Sequence, residues 1–164
     1  MIELLVLDVD GCMSDGKIIY ASNGEEFKNF NVKDGLAIVS WIKLGKKVAI
    51  ITGRHSSIVD KRSKELGVHY LYQGVSNKKE QLEAILAQEG LGFEHVAAIG
   101  DDLNDIAVLS LVGRSYCPNN ANHYAKNAVD TVLNCNGGEG AVREMIEDIL
   151  EHEHLIEDFI KLWQ

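Results

Sequence analysis

No apolar run in this sequence reaches the length a membrane-spanning helix needs. Met1 leads directly into a core-like segment, so neither a signal peptide nor a transmembrane helix is expected. Cysteine is scarce: Cys12, Cys117 and Cys135 are odd in number, widely spaced and without a CxxC pair. That pattern speaks against a disulfide framework and against structural zinc, and fits free thiols in a reducing cytoplasm. Positive charge is short as well, with 16 Lys and Arg against 25 Asp and Glu and a formal net charge of −9. Nonspecific nucleic-acid binding requires clustered cations and is not expected. The acid excess either serves solubility or gathers around a cation. Composition does not choose between these; position does. Internal repeats and low-complexity segments are absent too.

What is present suits one domain over residues 1–164, with 46% hydrophobic and 25% charged residues. Glu3 to Leu7, Lys47 to Ile51 and Val96 to Ile99 are short, nearly continuous apolar runs. Strands covered on both faces of a parallel sheet have this character. Between them, Leu36, Val39 and Ile42 recur at helical spacing, as do Leu82, Ile85 and Leu86. Gly45, Gly67 and Gly90 each follow a helical stretch and precede a strand-like one, as helix C-caps do. Strand alternating with helix predicts a doubly wound, Rossmann-like parallel sheet.

One segment, about residues 15–32, breaks the rhythm. Lys17 to Tyr20 and Glu25 to Phe30 flank Ser22-Asn23-Gly24, and Asn-Gly is a strong hairpin signal. A hairpin inserted there would overhang the carboxyl ends of the strands, where α/β proteins bind ligands. The chain leaves no room for a large cap domain. In the tail, about residues 152–164, Leu155, Ile156, Phe159, Ile160 and Trp163 form an apolar helical face. It either packs on its own chain or, the favoured expectation, contacts another subunit.

Four loops carry the candidate chemistry. The first strand ends in Asp8-Val9-Asp10-Gly11, two acids that repel unless a cation or a shared proton offsets them. The third apolar run ends in Gly100-Asp101-Asp102-Leu103-Asn104-Asp105. Asp102 and Asp105 complement a helix dipole, whereas Asp101 at the junction is better placed to ligate metal. With Asp8 it would make an oxygen-rich, thiol-free site suited to magnesium. Thr52, Gly53 and Arg54 end the second run, where a hydroxyl and backbone N–H groups can grip phosphate oxygens. Ser76 reads as an N-cap that places Lys78 and Lys79 in a helix's first turn. Cations there oppose the dipole, a broken local rule that an anionic ligand would compensate. A phosphate monoester, roughly a dianion, meets about two further negative charges in this set. Magnesium and one lysine return about three positive ones, as phosphoryl transfer demands.

DVDG at Asp8 to Gly11, ITGR at Ile51 to Arg54, SNK at Ser76 to Lys78 and GDDLND at Gly100 to Asp105 resemble the haloacid dehalogenase superfamily in content and order. The hairpin, YQGVSNK and GGEGAVRE resemble its capless 3-deoxy-D-manno-octulosonate 8-phosphate phosphatases, from Leu5 to about Leu150. The resemblance implies Asp8 as the nucleophile and Asp10 as the acid that becomes a base in the second step. It implies magnesium on Asp8, the Asp10 carbonyl and Asp101. Thr52 and Lys78 would bind the phosphoryl group, with Gly53 lining that loop, and Arg54 the sugar carboxylate. Asp102 and Asp105 would support them, Asp102 near the metal. It also implies a cytoplasmic homotetramer, closed by hairpin and tail, in lipopolysaccharide biosynthesis.

Two positions depart from the pattern. Glu139 stands in GGEG where many octulosonate phosphatases carry Lys or Arg, a feature of the related nine-carbon 2-keto-3-deoxynonulosonate 9-phosphate branch. That branch resembles ITGE, yet this chain has Arg54. Cys12, beside the nucleophile, is read as packing. None of the six histidines has metal-ligand spacing; His55 alone lies where it could touch substrate. Two other classes remain: a phosphorylated receiver-type signalling domain, whose element order differs, and a noncatalytic assembly domain.

Overall fold

The computed structural model describes all 164 residues. Strand β1 (Leu4–Leu7) is followed by a hairpin, β2 (Ile19–Tyr20) and β3 (Glu26–Phe27), and by helix α1 (Val32–Lys43). Then come β4 (Lys47–Ile51), α2 (Ser57–Leu66), β5 (Tyr70–Tyr72), α3 (Lys78–Glu89) and β6 (Val96–Ile99). The chain ends with α4 (Ile106–Leu109), β7 (Arg114–Cys117), α5 (His123–Ala128), β8 (Thr131–Val132), α6 (Ala141–His152) and α7 (Ile156–Lys161). The main sheet has the order β5-β4-β1-β6-β7-β8 and every pairing in it is parallel.

Apolar residues on both faces of β1, β4 and β6 explain why these strands lie at the centre. Leu5, Leu7, Val48, Ile50, Ala97 and Ile99 face one core with Ile38 and Trp41 of α1 and Met145 and Ile149 of α6. Leu4, Val6, Ala49, Ile51, Val96 and Ala98 face the other with Leu82 and Ile85 of α3. The strand order reverses beside β1, the kind of switch point whose carboxyl-end crevice holds ligands in open α/β sheets. Gly67 and Gly90 close α2 and α3 in the left-handed conformation, at φ 72° and 66°.

Several expectations need correction. In α1 the buried face is Ala37, Ile38 and Trp41, while Leu36 is exposed and Val39 and Ile42 lie at the margin. Leu36 and its neighbours share an apolar stripe too wide for periodicity alone to centre. The hairpin is shorter than its arms promised, pairing only Ile19 with Phe27 and Tyr20 with Glu26. It carries no large cap. In the tail, Phe159 is buried in the molecule's own core, with Leu155 and Ile156 packed against it. Trp163 donates its indole N–H to Ser40 Oγ at 2.9 Å and lies under the Lys43 ammonium, while Trp163 and Ile160 stay about half exposed, so part of this face is covered by its own chain and part is open. No helix is long and apolar enough to cross a membrane.

Candidate active site

The turn after β1 begins the site. Asp10 has φ −76° and ψ 111°, and Gly11 has φ 95° and ψ −8°. These are close to type II turn angles, which require positive φ at the third position. Glycine is needed there for a second reason: a Cβ on Gly11 would lie 2.0 Å from Asp101 Oδ2. The bare Cα lets the loop after β6 bring Asp101 against the loop after β1. Asp8, Asp101 and Cys12 consequently offer ligand atoms all within 4.8 Å of one another. The pocket is therefore not thiol-free, as the sequence reading had it. Burial, with the nearby Asp8 and Asp101 carboxylates, pushes the Cys12 thiol well above its ordinary range. A neutral thiol is a poor ligand, so the oxygens of Asp8 and Asp101 define the donor set.

Lys78 closes the pocket from below. Its Nζ donates to Asp8 Oδ1 and to Asp105 Oδ1, both at 2.6 Å, and its side chain is almost fully buried. Burial lowers its basicity, but the two carboxylates outweigh that and hold the ammonium above its usual range. Asp105 in turn accepts from the backbone N–H groups of Asp101 and Asp102. It thus fixes both Lys78 and the metal-side loop. Gly100 permits this, since a Cβ there would meet the Asp105 side chain at 2.4 Å. The cap of α3 is Asn77, whose side chain accepts from Glu80 N–H, and not Ser76 as expected. Both lysines still fall in the first turn, but only Lys78 points inward; Lys79 is solvated and pairs with Glu83 at 3.8 Å.

The carboxyls show how much positive charge the pocket needs. Burial, then repulsion from Asp105, raises Asp8 to about 7 despite Lys78. Burial and the Asp105 and Asp102 charges raise Asp101 to about 7. A hard dication between these two oxygens would remove the repulsion, so the residues present fit magnesium.

Thr52 is buried at the end of β4. Its own N–H is not free, as it donates to Tyr72 carbonyl; the N–H groups of Gly53 and Arg54 donate to no acceptor in the chain. Gly53 lies against Val75 carbonyl and the Asn104 side chain, so the loops after β4 and β6 meet above the sheet. Arg54 sits at the rim, where its guanidinium donates to Tyr20 Oη at 3.1 Å and Glu26 at 3.4 Å. Its Nε lies 3.8 Å from Asp10 Oδ2. Asp10 Oδ1 accepts from Lys28 Nζ at 2.5 Å. Asp102 is exposed and its side chain is not among those clustered within 4.8 Å, although its charge still acts on Asp101. It caps the turn by accepting from Leu103 N–H and from the Asn122 side chain. His55 is exposed beside Arg54.

Sequence reasoning missed the support beneath the catalytic turn. A Cβ on Gly137 would lie 1.7 Å from Gly11 carbonyl oxygen, and Gly138 N–H donates to Cys12 carbonyl at 3.0 Å. The Gly-Gly doublet was the available signal. Lys28, in an irregular hairpin arm, gave none.

Acidic loops at the ends of β1 and β6, joined by a buried lysine from the start of α3, are the arrangement of haloacid dehalogenase-like hydrolases. The model of that family matches residues 69–146. A 3-deoxy-D-manno-octulosonate 8-phosphate phosphatase of Salmonella typhi is 44% identical over 149 residues, covering 91% of this chain and 79% of the relative. The crystal structure of the Moraxella catarrhalis enzyme, in complex with magnesium, phosphate and KDO, superposes with a TM-score of 0.96 at 40% identity over 99% of this chain and 94% of that one. The cobalt-bound Haemophilus influenzae phosphatase gives a TM-score of 0.87 at 39% identity, over 92% and 88% of the two chains. The chain belongs to the 3-deoxy-D-manno-octulosonate 8-phosphate phosphatase family.

Proposed function

We infer that this protein is a magnesium-dependent phosphatase that converts 3-deoxy-D-manno-octulosonate 8-phosphate to the free sugar acid and phosphate. The observation that carries this reading is the convergence of buried Asp8, Lys78 and Asp105 with partly buried Asp101 at the switch point. The Asp8 and Asp101 side chains and the Asp10 carbonyl would hold magnesium, which supplies charge neutralisation for the phosphoryl oxygens. Lys78 engages Asp8 Oδ1 and leaves Oδ2 to attack phosphorus, forming an aspartyl-phosphate. Asp10 gives its proton to the departing sugar oxygen as the P–O bond breaks. It then takes a proton from the water that attacks the aspartyl-phosphate, which frees phosphate and restores Asp8. Thr52, the Gly53 and Arg54 N–H groups and Lys78 would bind the phosphoryl oxygens. Arg54, oriented by Tyr20 and Glu26, would meet the sugar carboxylate.

The free cysteines fit a cytoplasmic location. Exposed Ile18, Ile19, Tyr20 and Phe27 on the hairpin support assembly as a homotetramer, which light scattering after size exclusion tests. Glu139 is exposed on the loop that supports the catalytic turn, and its carboxylate accepts only from the Asn136 side chain, at 3.1 Å. Its charge, in a loop that meets the catalytic turn, supports a role in the choice between eight- and nine-carbon substrates. Hydrolysis of the two phosphates by the wild type and by Glu139→Lys measures this, and unchanged preference removes the role. For the central reading, Asp8→Asn should reduce turnover of the octulosonate phosphate to background while the circular-dichroism spectrum stays unchanged. Retention of near-normal turnover in that variant would overturn it.

A further inference from the structure

The hairpin places one cation where surface packing gives no reason for it. Lys28 lies one residue past the end of β3, yet its side chain turns to the same side as that of Glu26, while Phe27 between them is exposed. The Lys28 side chain is 1% exposed, although it follows directly on a two-stranded ribbon whose residues Ile19, Tyr20 and Phe27 are exposed. Its ammonium contacts two carboxylates, Asp10 Oδ1 at 2.5 Å and Glu26 Oε1 at 3.4 Å. Arg54 touches the same two acids from the open side, at 3.8 Å from Asp10 Oδ2 and 3.4 Å from Glu26 Oε1. Lys28 and Arg54 thus bracket Asp10 between them. Only one bracket is close enough to be a hydrogen bond.

We propose that Lys28 is the positioning residue for Asp10: it claims Oδ1, fixes the carboxyl rotamer, and thereby presents Oδ2 to the leaving oxygen of the substrate. An ammonium has three donors and no acceptor, so the carboxyl oxygen bonded to it cannot point a proton toward it. The transferable proton belongs on Oδ2, which has only the longer Arg54 contact. Lys28 itself is too buried to touch substrate, so it acts through Asp10. The inference rests on Asp10 as the acid and base, and it assigns the hairpin a task inside its own subunit. A general acid is effective only within hydrogen-bond reach of the atom it protonates, and misplacement by about 1 Å can cost about 100-fold.

Leaving-group basicity distinguishes positioning from a mere structural tether. Protonation matters most for a sugar alkoxide, less for phenolate and least for p-nitrophenolate. The parameter kcat/KM covers steps through the first irreversible one, leaving-group departure, and omits the later water attack. We would measure kcat/KM for the octulosonate phosphate, phenyl phosphate and p-nitrophenyl phosphate in wild type, Lys28→Met, Lys28→Arg, Asp10→Asn and the Lys28→Met/Asp10→Asn double variant. Lys28→Met should lower the sugar-phosphate to p-nitrophenyl ratio by at least about 10-fold, in the order of leaving-group basicity, and Lys28→Arg should recover most of it. In the Asp10→Asn background the Lys28 substitution should leave that ratio where Asp10→Asn alone puts it. Equal losses on all three substrates, or a further fall in the double variant, overturn the proposal. If Lys28→Met does not fold, Lys28→Gln takes its place, and a uniform loss there overturns it equally. An Asp10→Asn variant without leaving-group dependence refutes the acid role itself; dependence in Asp10→Asn but not in Lys28→Met refutes only the positioning.

Discussion

Asp34 illustrates how far burial sets the behaviour of a single residue. It lies in the first turn of α1, is 3% exposed, and accepts the Arg143 N–H at 2.8 Å through Oδ1. Its Oδ2 is buried without a partner. Burial pushes the carboxyl up to about 6, against the opposing pull of the Arg143 N–H and of the Arg62 and Arg143 charges. An acid whose folded value exceeds its unfolded value of 3.8 holds its proton in the native state between about pH 4 and 6. Its contribution to stability therefore declines as pH rises through that window. Asparagine has no proton to lose and can still accept the Arg143 N–H. Asp34→Asn should thus gain on wild type by up to about 3 kcal/mol between pH 4 and pH 7, read from urea unfolding at each pH. An equal stability difference at both pH values would contradict this. Nothing in the sequence marked Asp34, because an acid beside a helix start is ordinary, and only the fold sets α6 over it.

At the level of elements, what could be read in advance follows burial. β1, β4 and β6 are covered on both faces, so their sequences are apolar throughout and declared themselves; the loops at their ends held Asp8, Thr52 and Asp101. β5 and β8 form the two edges and are short, and in β7, beside an edge and no shorter than β1, Arg114 and Ser115 break the apolar run. No local pattern distinguishes such strands from loops. Contacts between loops were equally silent, since Gly137 meets Gly11 only after the sheet brings the end of the chain back over its beginning. That contact yields a test. The missing Cβ of Gly137 would fall 1.7 Å from Gly11 carbonyl oxygen, so Gly137→Ala must push the turn that carries Asp10. We expect kcat/KM to fall by about 100-fold while the far-ultraviolet spectrum is retained, because the displaced backbone belongs to a loop and not to a strand. A fully active Gly137→Ala enzyme would show that the turn is positioned from elsewhere.

Across the whole molecule, the metal site and the fold are coupled. Asp8 and Asp101 come from strands far apart in sequence, and only the assembled β1–β6 pair brings their oxygens together. The unfolded chain has no comparable site, so magnesium binds the native state and stabilises it by mass action. At a concentration about 100 times the dissociation constant the gain is about 2.7 kcal/mol, roughly 5–10 °C in Tm for a domain of this size. Binding requires ionised carboxyls, and without a cation both are raised to about 7. Protons therefore compete with the metal, and the magnesium-induced shift in Tm should be larger at pH 8 than at pH 6. Chelation should reverse it. In Asp101→Asn the repulsion that the cation relieves is already reduced and one anionic ligand is gone, so the bare variant should be no less stable than bare wild type near pH 8, yet gain little from magnesium. Differential scanning fluorimetry across magnesium and pH separates the two effects. An Asp101→Asn protein with the full magnesium response would place the cation elsewhere and remove the charge balance on which the proposed phosphoryl transfer depends.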